Sequence, residues 1–146
     1  MKNLLKLARI QAVSVAPTAT VMAAVDAMAK AEVGAVMVQE GEALLGIFTE
    51  RDVMLRVVKD RRDPASTLLR DVMTSPALSI RKDEMTADEV LTIMTERHIR
   101  HLPVLGATGQ VEGVLSMRHL LARKVENLTR EVDSLEAFMT ADGIGG

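Results

Sequence analysis

The chain has no cysteine. That rules out disulfides, thiolate nucleophiles and any zinc or iron–sulfur site built on thiolates. A thiol-free chain fits a reducing, cytoplasmic setting. Tryptophan and tyrosine are missing too, and the aromatic side chains are Phe48 and Phe138 alone. Such a chain has no stacking platform for single-stranded nucleic acid. Charge offers nucleic acid no foothold either, because the formal net charge is -2 and no Lys/Arg block interrupts the sequence. No apolar run reaches the roughly 20 residues that span a bilayer. The opening MKNLLKLARI is basic and partly apolar. It lacks the longer apolar core and small-residue cleavage site of a secretory signal, so a short helix or arm packed on the body is expected.

What the chain has is apolar side chains, 48% of 146 residues. That suffices for one compact domain or for two small halves sharing a core. The halves are visible as a repeat with a period of about 66 residues. Val13-Ser14-Val15 reads as an extended segment before Pro17, and Leu78-Ser79-Ile80 is its counterpart. Val21, Ala24, Val25, Met28 and Ala29 mark one face of a helix, with Thr18 or Thr20 as N-cap and Gly34 near its end. Ala87, Val90, Leu91 and Met94 repeat that face. Strands are expected over 35–38, 43–48, 102–105 and 111–115, each pair joined by a polar or glycine-rich turn. A helix follows each hairpin, over 49–58 and from Ser116 onward.

Each unit therefore reads strand, helix, strand, strand, helix. Such a unit covers one face of its sheet and needs a partner for the other. The expected architecture is α/β in the α+β sense, with two pseudo-symmetric units packed sheet to sheet. The charged stretch Lys59 to Asp63, ending at Pro64, marks the junction, giving units 1–62 and 63–124. Leu68, Leu69, Val72 and Met73 suggest a short helix leading into the second unit, mirrored by Leu4, Leu5, Leu7 and Ala8. The last helix, over 117–140, carries Leu121, Val125, Leu128, Val132, Leu135 and Met139 at alternating spacings of four and three. This is an a/d seam flanked by charges, and a homodimer is the expected way to cover it; folding back along its own body is the alternative. The tail from Ala141 is expected to end the helix and be loose.

The chemistry gathers at GIFTERD, residues 46–52, and GVLSMRH, residues 113–119. Each ends a strand and starts a helix, where free backbone N–H groups can hold an anion or polar ligand. Thr49 offers a hydroxyl and Asp52 shares its face one turn on. An ionised carboxylate accepts only, which suits two vicinal sugar hydroxyls. The plain alternative is an N-cap, with Thr49 capping and Asp52 favouring the helix dipole.

VGAVMV with GIFTERD, and DVMTSP, IRHLPV and GVLSMRHLL, together resemble a tandem pair of cystathionine-beta-synthase (CBS) domains, from about Val13 to Lys124. The resemblance implies an adenosine-containing regulatory ligand between the units: AMP, ADP or ATP, with NAD and S-adenosylmethionine behind them. It implies that Thr49 touches phosphate-side oxygens or ribose and that Asp52 binds the ribose hydroxyls. Ser116 matches Thr49, and Arg100, His101 and Arg118 are the expected phosphate-side partners, since arginine gives two directed donors. His119 stands where the family pattern has aspartate, and neutral imidazole cannot clamp two hydroxyls. The second cleft is therefore expected empty or altered.

No enzyme is expected. The three histidines make no H-E-x-x-H pattern, and neither a P-loop nor G-x-G-x-x-G is present. No metal site or catalytic cofactor is foreseen. The expected role is a regulatory or energy-sensing module, signalling through dimer packing to an unidentified protein target, without nucleic acid or membrane. The alternative is a structural or interaction dimer with a vestigial cleft.

Overall fold

The computed structural model describes residues 5, 6 and 8–145, with side chains as far as residue 140. Leu4 and Leu7 of the expected opening helix lie outside the described residues. The elements in order are β1 (Arg9–Ile10), β2 (Ser14–Val15), α1 (Val21–Ala31), β3 (Ala35–Glu40), β4 (Ala43–Thr49), α2 (Glu50–Asp52), α3 (Leu69–Val72), β5 (Ile80–Arg81), α4 (Ala87–Glu96), β6 (His101–Leu105), β7 (Val111–Ser116) and α5 (Met117–Gly145).

Local chemistry explains most of these boundaries. Thr20 caps α1, its hydroxyl oxygen accepting from Ala23 N–H at 3.1 Å. Val21, Ala24 and Met28 form the buried face of α1. The helix ends at Glu32, which takes the left-handed conformation at φ 55°, two residues before Gly34. Thr86 caps α4 in the same way, and Ala87, Val90 and Met94 are buried. The single helix expected over 49–58 is instead a short α2 followed by wide π-type turns through Val58. Residues 141–145, expected as a loose tail, continue α5 as helix.

Each unit is a parallel strand pair joined by a helix, followed by a hairpin. β2 pairs parallel with β3, which pairs antiparallel with β4; β5, β6 and β7 repeat the arrangement. Val36 faces Phe48 in one hairpin and Leu102 faces Leu115 in the other, so the registers repeat as well. Behind each sheet lies a core, one around Val21, Phe48 and Val57 and the other around Val90, Met94, Leu102 and Leu120. Between the sheets, Ala35, Met37 and Ile47 pack with Val114. The two units therefore bury their second faces against each other, as an α+β pair must.

The units also exchange segments. β1, which precedes the first unit in sequence, pairs antiparallel with β7 of the second, Arg9 facing Leu115. Ala8 is buried in the second unit's core. In return, Leu69 and Val72 of α3, expected to lead into the second unit, are buried in the first unit's core. Thr74 then bridges Ile47, its N–H donating to the Ile47 carbonyl at 2.9 Å and its carbonyl accepting from Ile47 N–H at 3.0 Å.

Two glycines permit these crossings. A β-carbon on Gly46 would lie 2.6 Å from the Thr74 carbonyl oxygen, and one on Gly113 would lie 3.0 Å from the Ile10 carbonyl oxygen. These are the leading glycines of the two repeated motifs, so the motif's first position is set by the close approach of a foreign backbone. Gly46→Ala should therefore destabilise the protein by about 1–3 kcal/mol through overpacking against backbone. Leu69→Ala should cost about 2–5 kcal/mol, although Leu69 lies beyond the charged junction in sequence. Urea denaturation of both variants measures these losses.

Candidate functional site

Asp52 is buried, 8% exposed, at the start of the turns that follow β4. It closes a capping box with Thr49. Thr49 N–H donates to Asp52 Oδ2 at 3.0 Å, and Asp52 N–H donates to Thr49 Oγ1 at 3.3 Å. The Thr49 hydroxyl also donates to Oδ2 at 3.2 Å, and the Thr74 hydroxyl donates to Oδ1 at 3.2 Å. Arg56 Nε lies 3.6 Å from Oδ1, and the same guanidinium donates to the Met73 carbonyl at 2.8 Å. Asp52 thus fastens the crossing segment that Gly46 admits. Thr49 N–H, the Thr49 hydroxyl and the Thr74 hydroxyl hydrogen-bond to the carboxylate, and the Arg56 guanidinium stands beside it as an ion-pair partner.

A large open cavity of about 1460 Å³ lies elsewhere along the junction. One wall is apolar and comes from the first unit: Val13, Val25, Met28, Val33 and Val53. Glu32 and Glu50 add carboxylates on that side. The second unit supplies Arg100, His101, Ser116, Arg118 and His119. Met117 N–H donates to the Arg100 carbonyl at 2.9 Å, which fixes the amino end of α5 beside the start of β6. The cavity therefore presents two guanidiniums, a buried serine and a helix amino end to any anion inside it. Its apolar wall suits a flat ring system.

Four of the six expected ligand residues, Arg100, His101, Ser116 and Arg118, come together at this cavity, while Thr49 and Asp52 are not among its lining residues. The sequence reading had placed the main cleft at the first motif and an empty or altered one at the second. In the structure the cavity is lined by the second motif, His119 included, together with Glu50 and Val53 after β4. Sequence reasoning missed Glu50, which no pattern distinguishes from the other surface acids, and Thr74, whose only trace was DVMTSP.

Gly34 lets Glu50 and His101 approach. A β-carbon there would lie 3.1 Å from His101 Cε1 and 3.2 Å from Glu50 Cδ. Burial pushes the His101 imidazole below its ordinary pKa; Glu50 pulls the other way and Arg100 adds to the lowering. Among the described residues no group of three His, Cys, Asp or Glu is placed to hold a metal ion. No described helix is long and apolar enough to cross a membrane.

Comparison with known proteins follows the same outline. The CBS domain family model matches twice, over residues 6–59 and 69–126. The chain is 30% identical over 117 residues to an uncharacterized Methanopyrus kandleri protein, MK0525, covering 80% of this chain and 59% of that relative. It superposes with a TM-score of 0.75 on the CBS-domain containing protein ATU1752 from Agrobacterium tumefaciens, at 27% identity, covering 85% of this chain and 98% of that one. It superposes with a TM-score of 0.71 on the CBS domain protein PAE2072 from Pyrobaculum aerophilum complexed with AMP, at 28% identity, covering 88% of this chain and 97% of that one.

Two outcomes follow from the geometry. Asp52→Ala should lower stability by about 1–3 kcal/mol with no ligand present, because it leaves the Thr49 and Thr74 donors unmatched. His101 should make the protein acid-sensitive. Its neutral form is favoured on folding, so this contribution is complete above its ordinary value of 6.5 and is lost as pH falls below it. Urea midpoints between pH 7 and pH 5.5 should fall less steeply for His101→Gln than for the unaltered chain.

Proposed function

The chain belongs to the CBS-domain family as a tandem pair, and from that premise we propose that it is a regulatory module binding AMP, ADP or ATP in the cleft between its units. The observation that carries this reading is the convergence of Arg100, His101, Ser116 and Arg118 on one cavity with an apolar opposite wall. In this reading the arginines and the α5 amino end take the phosphate, and the adenine lies against Val13, Val25 and Met28. Glu32 and Glu50 limit how much negative charge the cavity accepts, which favours AMP over the more highly charged nucleotides. The similar Pyrobaculum aerophilum protein in complex with AMP supports the choice of ligand. Asp52 is a structural clamp in the ligand-free chain, and Thr49 with Asp52 is the proposed ribose-side pair of the first motif.

Binding rather than turnover is the proposed activity, in the cytoplasm and in a dimer. Leu121 supports a route for the signal. It lines the cavity and also begins the exposed apolar seam of α5, so ligand contacts and dimer packing share one helical turn. A change of ligand then biases how two copies pack, and an unidentified protein target reads the result.

A structural dimer with a vestigial cleft is the second reading, favoured by the internal engagement of Asp52. A thermal-shift panel of AMP, ADP, ATP, NAD and S-adenosylmethionine separates the two. The sensor reading expects stabilisation by AMP of about 2.7 kcal/mol at a hundredfold excess over Kd. It expects Arg118→Ala to weaken binding by roughly 10- to 100-fold through loss of a charge-assisted hydrogen bond. No shift with any of the five ligands would leave the structural dimer.

A further inference from the structure

α5 leaves the body after its first turns. Met117 and Leu120 pack into the second unit's core, and Lys124 Nζ holds Asp88 Oδ1 of α4 at 3.0 Å. From Leu121 onward the a/d side chains are open to solvent. Leu121, Val125, Leu128, Val132, Leu135 and Met139 are 46–70% exposed. They form one stripe about 27 Å long at 1.5 Å per residue. A stripe of that length is unusual on a monomer's surface and marks an interaction face.

The pattern says what covers it. Val125 and Val132 fall at a and Leu121, Leu128 and Leu135 at d, an apolar seam of the kind that takes the knobs of another helix. The charge is polarised along the helix. Residues 117–128 carry three basic residues and one acidic residue, whereas 129–140 carry one basic and three acidic. Two parallel copies would set like halves together and bring the flanking Glu131 of one against Glu136 of the other. Two antiparallel copies set the basic half against the acidic half. In the register that layers Val125 of each copy on Leu128 of the other, Lys124 of each copy lies beside Glu131 of the other. The Lys124 ammonium has three donors and can face Glu131 while holding Asp88.

We propose that the α5 stripe is the docking surface for a second copy of this chain, with the two helices antiparallel. This deepens the dimer part of the function above and does not depend on nucleotide binding. The absence of cysteine makes the test clean. Sedimentation equilibrium of the full chain should give a dimer at about 50 µM, and Leu128→Glu should weaken association by at least about 100-fold by placing a charge in the seam. Leu128 is exposed in the single chain, so the variant should keep the far-UV circular dichroism and cooperative urea unfolding of a folded chain while losing association. For orientation, Thr140→Cys carrying a nitroxide should give an interspin distance of about 30 Å or more, since antiparallel helices put these ends apart. A monomeric wild-type protein, or a Leu128→Glu dimer as tight as wild type, would overturn the surface. An interspin distance under about 20 Å would overturn the orientation.

Discussion

Two glycines hold the halves of this protein together by the space they leave empty. A side chain at position 46 would crowd the segment at Thr74 against β4, and one at position 113 would crowd the backbone at Ile10 against β7. Each crossing places apolar residues of one unit's leader in the core of the other, Leu69 and Val72 on one side and Ala8 on the other. The units are thus interlocked rather than merely stacked. Burial between their sheets at Met37, Ile47 and Val114 then depends on both crossings being made.

The same constraint decides what Asp52 does. An acidic residue at the start of a helix has several possible partners, and the one that arrives is the Thr74 hydroxyl carried in by the crossing strand. Thr49, Thr74 and Arg56 then surround the carboxylate and tie it to the fold. The second motif has no such occupant. Ser116, Arg118 and His119 face a cavity instead, and the pseudo-symmetry of the sequence becomes an asymmetry of chemistry. Positive groups from the second unit meet apolar and acidic groups from the first.

Much of this was legible from local pattern. The apolar spacing of α1 and α4, the capping threonines and the two hairpins all follow from interactions within a few residues, and they appear where periodicity puts them. The heptad stripe of α5 was equally clear, and its exposure agrees with a helix that needs a partner. The details that failed involve competition between local and distant interactions. Gly34 follows the end of α1 as expected, but its reason is the approach of Glu50 and His101, while Glu32 takes the left-handed cap. The tail from Ala141 looked loose, yet α5 continues through it.

The sequence alone determined the duplication, the order of strands and helices, the family resemblance and the apolar seam, because each is written in short-range spacing. Tertiary structure decided which core receives each leader segment, which motif is filled by its own chain and where the cleft opens. Those outcomes rest on contacts such as Thr74 with Ile47 and Asp52, residues more than twenty positions apart, whose pairing exists only once both sheets have formed.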